Sequence, residues 1–134
     1  MAVSLVIVSH SARLAEGVAE LAGQMASGKV AIAAAGGAAD GSLGTSLEKV
    51  LAALEQVDGP DGTLVLLDLG SAAMVAEMAV EAFAAHYRVM LSPASLVEGA
   101  VIAAVEASIG NSLEEVAEAA AAAHTLPKLH DKHS

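Results

Sequence analysis

Residues 4–26, SLVIVSHSARLAEGVAELAGQMA, decide the fold, because the hydrophobic period changes within them. Ser4 to Val8 is a continuous apolar run rich in β-branched residues, the pattern of a strand buried on both faces. From Ser11 to Ala26, Leu14, Val18, Leu21 and Met25 recur at spacings of three and four, with Arg13, Glu16, Glu20 and Gln24 opposite. That period predicts an amphipathic helix buried along those four apolar residues. A strand covered on both faces and followed at once by a helix is the first half of a βαβ unit.

Working outward, the same alternation repeats. Lys29 to Ala34 is a second strand candidate, built mostly of Ala, Val and Ile, and Ala35 to Gly44 (AGGAADGSLG) is a glycine-rich loop. A helix begins at Thr45 with Leu47, Val50, Leu51 and Leu54 as its buried stripe, and Thr45 with Glu48 has the spacing of a capping box. The turn-rich VDGPDG of residues 57–62 ends it. Thr63 to Leu67 is a third, wholly apolar strand with Asp68 at its carboxyl end. Gly70 and Ser71 lead into a helix over Ala72 to Ala85 that turns Glu77 and Glu81 to solvent. Tyr87 to Leu91 is a fourth strand, followed by an irregular SPAS turn and an alanine-rich helix to Ile109. Asn111 and Ser112 cap a last helix through Ala123, Pro127 closes the fold, and His130 to Ser134 is expected to fray.

Strands alternating with helices through short loops imply right-handed crossovers and parallel pairing. The expected architecture is α/β: one open parallel sheet of four strands, order 2-1-3-4, with helices on both faces. Residues 1–125 form one domain and 126–134 a tail.

Composition excludes several function classes. The 134 residues carry a formal charge of −10, one Phe, one Tyr and no Trp. Single-stranded nucleic acid wants stacking faces and any phosphate backbone a basic patch, so a nucleic-acid partner is not expected. An anionic membrane surface is disfavoured for the same electrostatic reason. With no Cys, disulfides and thiolate metal sites are ruled out. The start, MAVSLVIVSH, lacks a basic n-region, so no signal peptide is expected. Uncharged runs such as Val30 to Ala39 fall far short of the about 20 residues of a membrane span. A cytoplasmic domain that does not insert into membrane is the expectation.

In an open parallel sheet, ligands gather at the carboxyl ends of the strands, near the point where strand order reverses. Strand one ends in Ser9-His10-Ser11, and the second loop ends in Gly44-Thr45-Ser46. Strand three ends in Asp68-Leu69-Gly70-Ser71, and strand four in Ser92-Pro93-Ala94-Ser95. Small hydroxyls, glycines, one His and one Asp converge on one edge, an inventory that suits a phosphoryl group. Imidazole is a nucleophile at neutral pH. An Asp at its other nitrogen would fix the tautomer, and Asp68 is the only carboxylate at a central strand end. Helix N-terminal amides with Ser and Thr hydroxyls would hold the phosphoryl oxygens.

Each residue also has an ordinary structural role. Ser11, Thr45 and Ser71 can be helix caps and Asp68 a turn former, and His86, His124, His130 and His133 fall at helix ends or in the tail. Convergence of four loops carries the reading, not any one residue. Absent motifs narrow it further. No segment supplies the Lys of a phosphate-binding P-loop, and no GxGxxG follows the first strand. The end of strand one lacks the acidic residues a magnesium-binding receiver needs. No His/Glu cluster has metal-ligand spacing, so neither metal nor cofactor is expected.

Taken together, VIVSHSARLAEGVAEL, the Gly-Thr-Ser of the second loop, LVLLDLGSAAMVAE and LVEGA resemble the enzyme IIA-type domain of the phosphotransferase-dependent dihydroxyacetone kinases. That domain is related to the enzyme IIA of mannose-class sugar transporters, and the likeness runs from Leu5 to His124. It implies that His10 accepts a phosphoryl group from the phosphocarrier HPr and delivers it to ADP held by a second kinase subunit. Dihydroxyacetone bound on a third subunit is then phosphorylated by the ATP. The protein would thus be a phosphotransferase with a phosphohistidine intermediate. Asp68 matches the family's position after strand three, Gly70 and Ser71 its phosphoryl-side turn, and Thr45 and Ser46 its polar pair, with Ser9 and Ser11 flanking the histidine. Members are typically homodimers. The family usually places Pro directly before LVEG, where Ser95 stands here, so a differently shaped fourth loop is expected. Two alternatives share the site: an enzyme IIA for mannose-class sugar uptake, and a regulatory module whose binding depends on phosphorylation.

Overall fold

The computed structural model describes residues 2–83 and 87–129. Strands β1 (Ser4–Ser9), β2 (Ile32–Gly36), β3 (Thr63–Leu67) and β4 (Val89–Leu91) alternate with helices α1 (Ala12–Met25), α2 (Leu47–Val57), α3 (Ser71–Ala82) and α4 (Leu96–Ser108). Helix α5 (Leu113–Ala121) and a 3-10 turn (Ala123–Thr125) follow. The four strands pair in parallel in the order β2-β1-β3-β4, as the alternation predicts. Among the described residues no helix is long and apolar enough to cross a membrane.

The apolar strands divide two cores between the faces of the sheet. Leu5, Ile7, Leu64 and Leu66 point to one face under α1, α4 and α5. Val6, Val8 and Val65 point to the other under α2 and α3. Alternate residues of one strand serve opposite cores, as the pleat requires. All six residues of β1 are buried, so the continuous apolar run is that of a central strand.

Helix α1 departs from expectation. Its buried positions are Ala15, Val18 and Ala22, whereas Leu14, Leu21 and Met25 are 42%, 42% and 54% exposed. The stripe is rotated by about one position, because small side chains let α1 lie close to the sheet and to α4. Ala100, Ala103, Ala104 and Ala107 do the same for α4. Alanine, which a periodicity argument counts as weakly apolar, thus forms much of the helical core.

Other boundaries shift. β2 lies two to three residues later than expected, because an Ala/Val/Ile run carries little strand signal and its register is set by pairing with β1. β4 is a three-residue edge strand that starts two residues later, at Val89. The second helix is capped by Ser46, whose hydroxyl accepts from Lys49 N, rather than by Thr45 with Glu48. The last helix has a true capping box, Ser112 with Glu115, while the Asn111 amide bonds the Glu106 carboxylate. That helix stops at Ala121 and tightens to the 3-10 turn. Helix α3 ends at Ala82, short of the expected Ala85, because Phe83 turns to an extended conformation (φ −75°, ψ 120°) with its amide donating to Ala79 O. Ala85, His86, His130, His133 and the tail from 130 lie outside the described residues.

Candidate functional site

The register Val8↔Leu67 sets the next residues of two adjacent central strands, Ser9 and Asp68, side by side at the carboxyl edge. The Asp68 amide continues the ladder by donating to Val8 O at 3.1 Å. The Asp68 carboxylate then gathers four donors. Oδ2 accepts from Ser9 Oγ at 2.9 Å and from the His10 amide at 3.0 Å. Oδ1 lies 3.0 Å from His10 Nδ1 and accepts from the Leu69 amide at 2.8 Å. Burial by itself would push this carboxyl up. The His10 amide, the His10 ring and the Ser9 hydroxyl together outweigh it and hold Asp68 below the ordinary carboxylate range.

An ionised carboxylate only accepts, so His10 Nδ1 carries the proton facing it. Nε2 is left with its lone pair outward, and Ser71 Oγ stands 2.9 Å away, placed to donate to it. The ring is 26% exposed against 12% for the Asp68 side chain, so the histidine is reachable from solvent while its orienting partner is shielded. The line Asp68–His10–Ser71 thus runs from buried anion to exposed hydroxyl.

The remaining candidates fall into two groups. Ser9, fully buried, has its hydroxyl committed on both sides, donating to Asp68 and accepting from the Ser11 amide at 3.0 Å. Ser11 caps α1 through Leu14 N, and Ser46 caps α2 through Lys49 N. These hydroxyls build the scaffold. Gly70 forms the N-cap of α3 with no side-chain cap bond, Ser71 opens that helix, and Thr45 is left uncommitted to the cap of α2. Among the described residues neither the Thr45 nor the Ser46 hydroxyl hydrogen-bonds the ring, whose side-chain partners are Asp68 and Ser71. The second loop reaches the site through its backbone, where the Gly44 amide donates to His10 O at 2.8 Å.

Sequence reasoning missed three contributors. The Leu69 and Gly44 amides are backbone groups and leave no side-chain signature. Lys49 donates from its ammonium to Gly36 O at 3.0 Å, and its only signal was a basic residue in the first turn of the helix after the glycine-rich loop. The fourth loop holds Ser95 at φ −59°, within the range that proline imposes. Ser92 Oγ closes the same loop by accepting from Ala94 N. The backbone at 95 is therefore one that Pro could share, against the expectation of a different shape.

Fold and site together define an open parallel α/β domain with one tautomer-fixed histidine at the carboxyl edge of its central strand. The chain belongs to the EIIA-man family, the PTS system fructose IIA component, whose model matches residues 4–117. It is 46% identical over 119 residues to the Escherichia coli (strain K12) PEP-dependent dihydroxyacetone kinase, phosphoryl donor subunit DhaM, covering 85% of this chain and 25% of that one. It is 33% identical over 116 residues to PEP-dependent dihydroxyacetone kinase 2, phosphoryl donor subunit DhaM, of Listeria innocua serovar 6a, covering 85% and 93%. The chain thus spans about a quarter of the length of the first relative and nearly all of the second. The crystal structure of the unknown function protein EF1359 superposes with a TM-score of 0.76 at 32% identity, covering 90% of this chain and 94% of that one.

Proposed function

We propose that this domain is a phosphohistidine carrier that takes a phosphoryl group from HPr on His10 Nε2 and passes it to ADP held by a dihydroxyacetone kinase subunit. The observation that carries the reading is the alignment of Asp68, His10 and Ser71, which supports one nucleophilic nitrogen at a solvent-facing sheet edge. Kinship with phosphoryl donor subunits supports the substrate and the kinase partner.

In the accepting step the Nε2 lone pair attacks the phosphorus of the donor phosphohistidine. The donor P–N bond breaks and its electron pair returns to the donor imidazole. His10 keeps its Nδ1 proton, and the positive character that develops is balanced by the Asp68 carboxylate. Ser71 must release Nε2 as the bond forms, and its hydroxyl is then free to donate to a phosphoryl oxygen. The amides of Gly70 and Ser71 at the start of α3, with the Thr45 hydroxyl, are the remaining donors for those oxygens. In delivery a terminal phosphate oxygen of ADP attacks, the Nε2–P bond breaks, and its pair returns to Nε2. Neither step needs a metal or cofactor from this chain. The exposed Leu69 and Met74 on the α3 side give the edge an apolar rim suited to transient partners.

A cytoplasmic homodimer is part of the proposal. The exposed Leu14, Leu21 and Met25 of α1 and Val97 of the neighbouring α4 supply an apolar face for a second copy.

Intact mass after incubation with enzyme I, HPr and phosphoenolpyruvate tests the carrier role. One acid-labile phosphate on wild type and none on His10→Gln is expected; no added mass on wild type overturns it. Adding the kinase subunit with ADP separates the destinations, since ATP should form. Charged protein that yields no ATP but charges a sugar permease component would move the assignment to mannose-class uptake.

A further inference from the structure

The proposed carrier site leaves one half-buried cation without a role. Lys49 stands third in α2, in the first turn of a helix, where the dipole disfavours positive charge. Its long side chain gives up rotamer freedom to place the ammonium 3.0 Å from Gly36 O. Gly36 is the last residue of β2 and packs directly on the turn that follows His10. A Cβ there would lie 2.5 Å from Ser11 O and 2.8 Å from Ala12 Cα.

From Gly36 the chain leaves the sheet and returns through the glycine-rich loop. Gly37 N donates to Ser9 O at 3.1 Å at its start, and Gly44 N donates to His10 O at 2.8 Å at its end. The loop therefore grips the backbone on both sides of the histidine. Lys49 ties the helix that follows the loop to the strand that precedes it, closing residues 36–49 into a ring whose inner edge is the His10 peptide. Thr45 lies within that ring.

We propose that Lys49 is a positioning residue of the phosphoryl site, acting through the Gly36 carbonyl to hold Gly44, and with it the loop that carries Thr45, against the His10 backbone. The inference rests on the carrier reading for its consequence and on geometry alone for its mechanism. β2 is an edge strand, and a lysine that merely guarded an open edge against pairing would protect solubility without affecting the loop.

Lys49→Met keeps the aliphatic stem and removes the donor, and Lys49→Arg restores one. Two readouts decide the matter. The first is amide hydrogen exchange at Gly44, with the amides of β1 and β3 as the control for folding. The second is phosphoryl acceptance measured across HPr concentrations. In Lys49→Met, Gly44 exchange should rise about tenfold with the strand amides unchanged, the size expected for losing one charge-assisted hydrogen bond. The rate at saturating HPr should fall several-fold while the half-saturating concentration stays put, and Lys49→Arg should recover both. Unchanged Gly44 exchange overturns the clamp, and so does faster exchange with unaltered transfer. A wild type that accepts no phosphate overturns the carrier reading instead, and the Gly44 result still decides the clamp.

Discussion

His10 Nδ1 and Asp68 Oδ1 lie 3.0 Å apart, although the two residues are 58 positions apart in the chain and each follows the end of a different strand. Because Asp68 also holds the His10 amide, ring and backbone are fixed by one carboxylate. Asp68→Asn keeps the size and loses the charge and half of the accepting capacity. Acceptance of phosphate, followed by rapid-quench intact mass, should fall on the order of 10²-fold or more. A variant that transfers at the wild-type rate would remove Asp68 from the mechanism.

The same carboxylate makes a pH prediction. Asp68 is held below its ordinary value of 3.8, so the folded state binds fewer protons than the unfolded state near that pH. Its contribution to stability is complete above the unfolded pKa and is lost as pH falls through the folded one. Urea midpoints should drop as pH is lowered below about 4. The drop should be smaller for Asp68→Asn, which has no proton to take up there; identical pH profiles would contradict the assignment.

Ser71 is exposed, and its Oγ stands 2.9 Å from the His10 Nε2 that the proposed transfer would use. Ser71→Ala should leave stability within about 0.5 kcal/mol of wild type. The phosphohistidine should still form, but hydrolyse several-fold faster once formed, because a donor to the phosphoryl oxygens is gone. Lifetimes of the acid-labile mass adduct at neutral pH would show it.

Two glycines near the start of the chain should respond oppositely to alanine. Gly17, in the middle of α1, has open space where a Cβ would go, and Gly17→Ala should stabilise by about 0.5–1 kcal/mol. Gly36→Ala would press a methyl within 2.8 Å of Ala15 Cβ and closer to Ser11 O, and should destabilise by about 1–3 kcal/mol. Thermal or urea unfolding of the pair distinguishes close backbone approach from a general preference for glycine.

At position 95 the backbone already has the φ of proline, φ −59°. Ser95→Pro should raise stability by about 0.4–1 kcal/mol through the unfolded chain, with little change in denaturant slope. A loss of stability would mean that the fourth loop needs the Ser95 amide.

The central strands β1 and β3 were legible in the sequence, since β-branched apolar runs without charge have few other uses. The alternation of strands and helices implies a parallel sheet whose strand ends share one edge, and that alone groups His10, Asp68 and Ser71. The burial of α1 was not legible. Large apolar side chains dominate a periodicity argument, yet Ala15 and Ala22 face the core and Leu14 and Leu21 flank it. The one-residue error at the α2 cap has a similar cause, because Thr45 and Ser46 are chemically alike and only the path of the loop through Gly44 chooses between them. Backbone donors such as Leu69 N and the reach of Lys49 depend on tertiary placement and leave little trace in a single sequence.

The strand order has a temporal consequence. β1 is central, yet the strand that completes its site, β3, lies almost half the chain away, beyond a helix, a glycine-rich loop and a second helix. Contacts of such long sequence separation carry a larger loop-closure cost than local ones and slow folding. A growing or partly unfolded chain holds His10 without Asp68, with neither tautomer nor orientation fixed. On the proposed carrier reading, a chain in which β1 and β3 have not yet paired lacks the carboxylate that orients His10, so competence at the histidine would follow completion of the sheet.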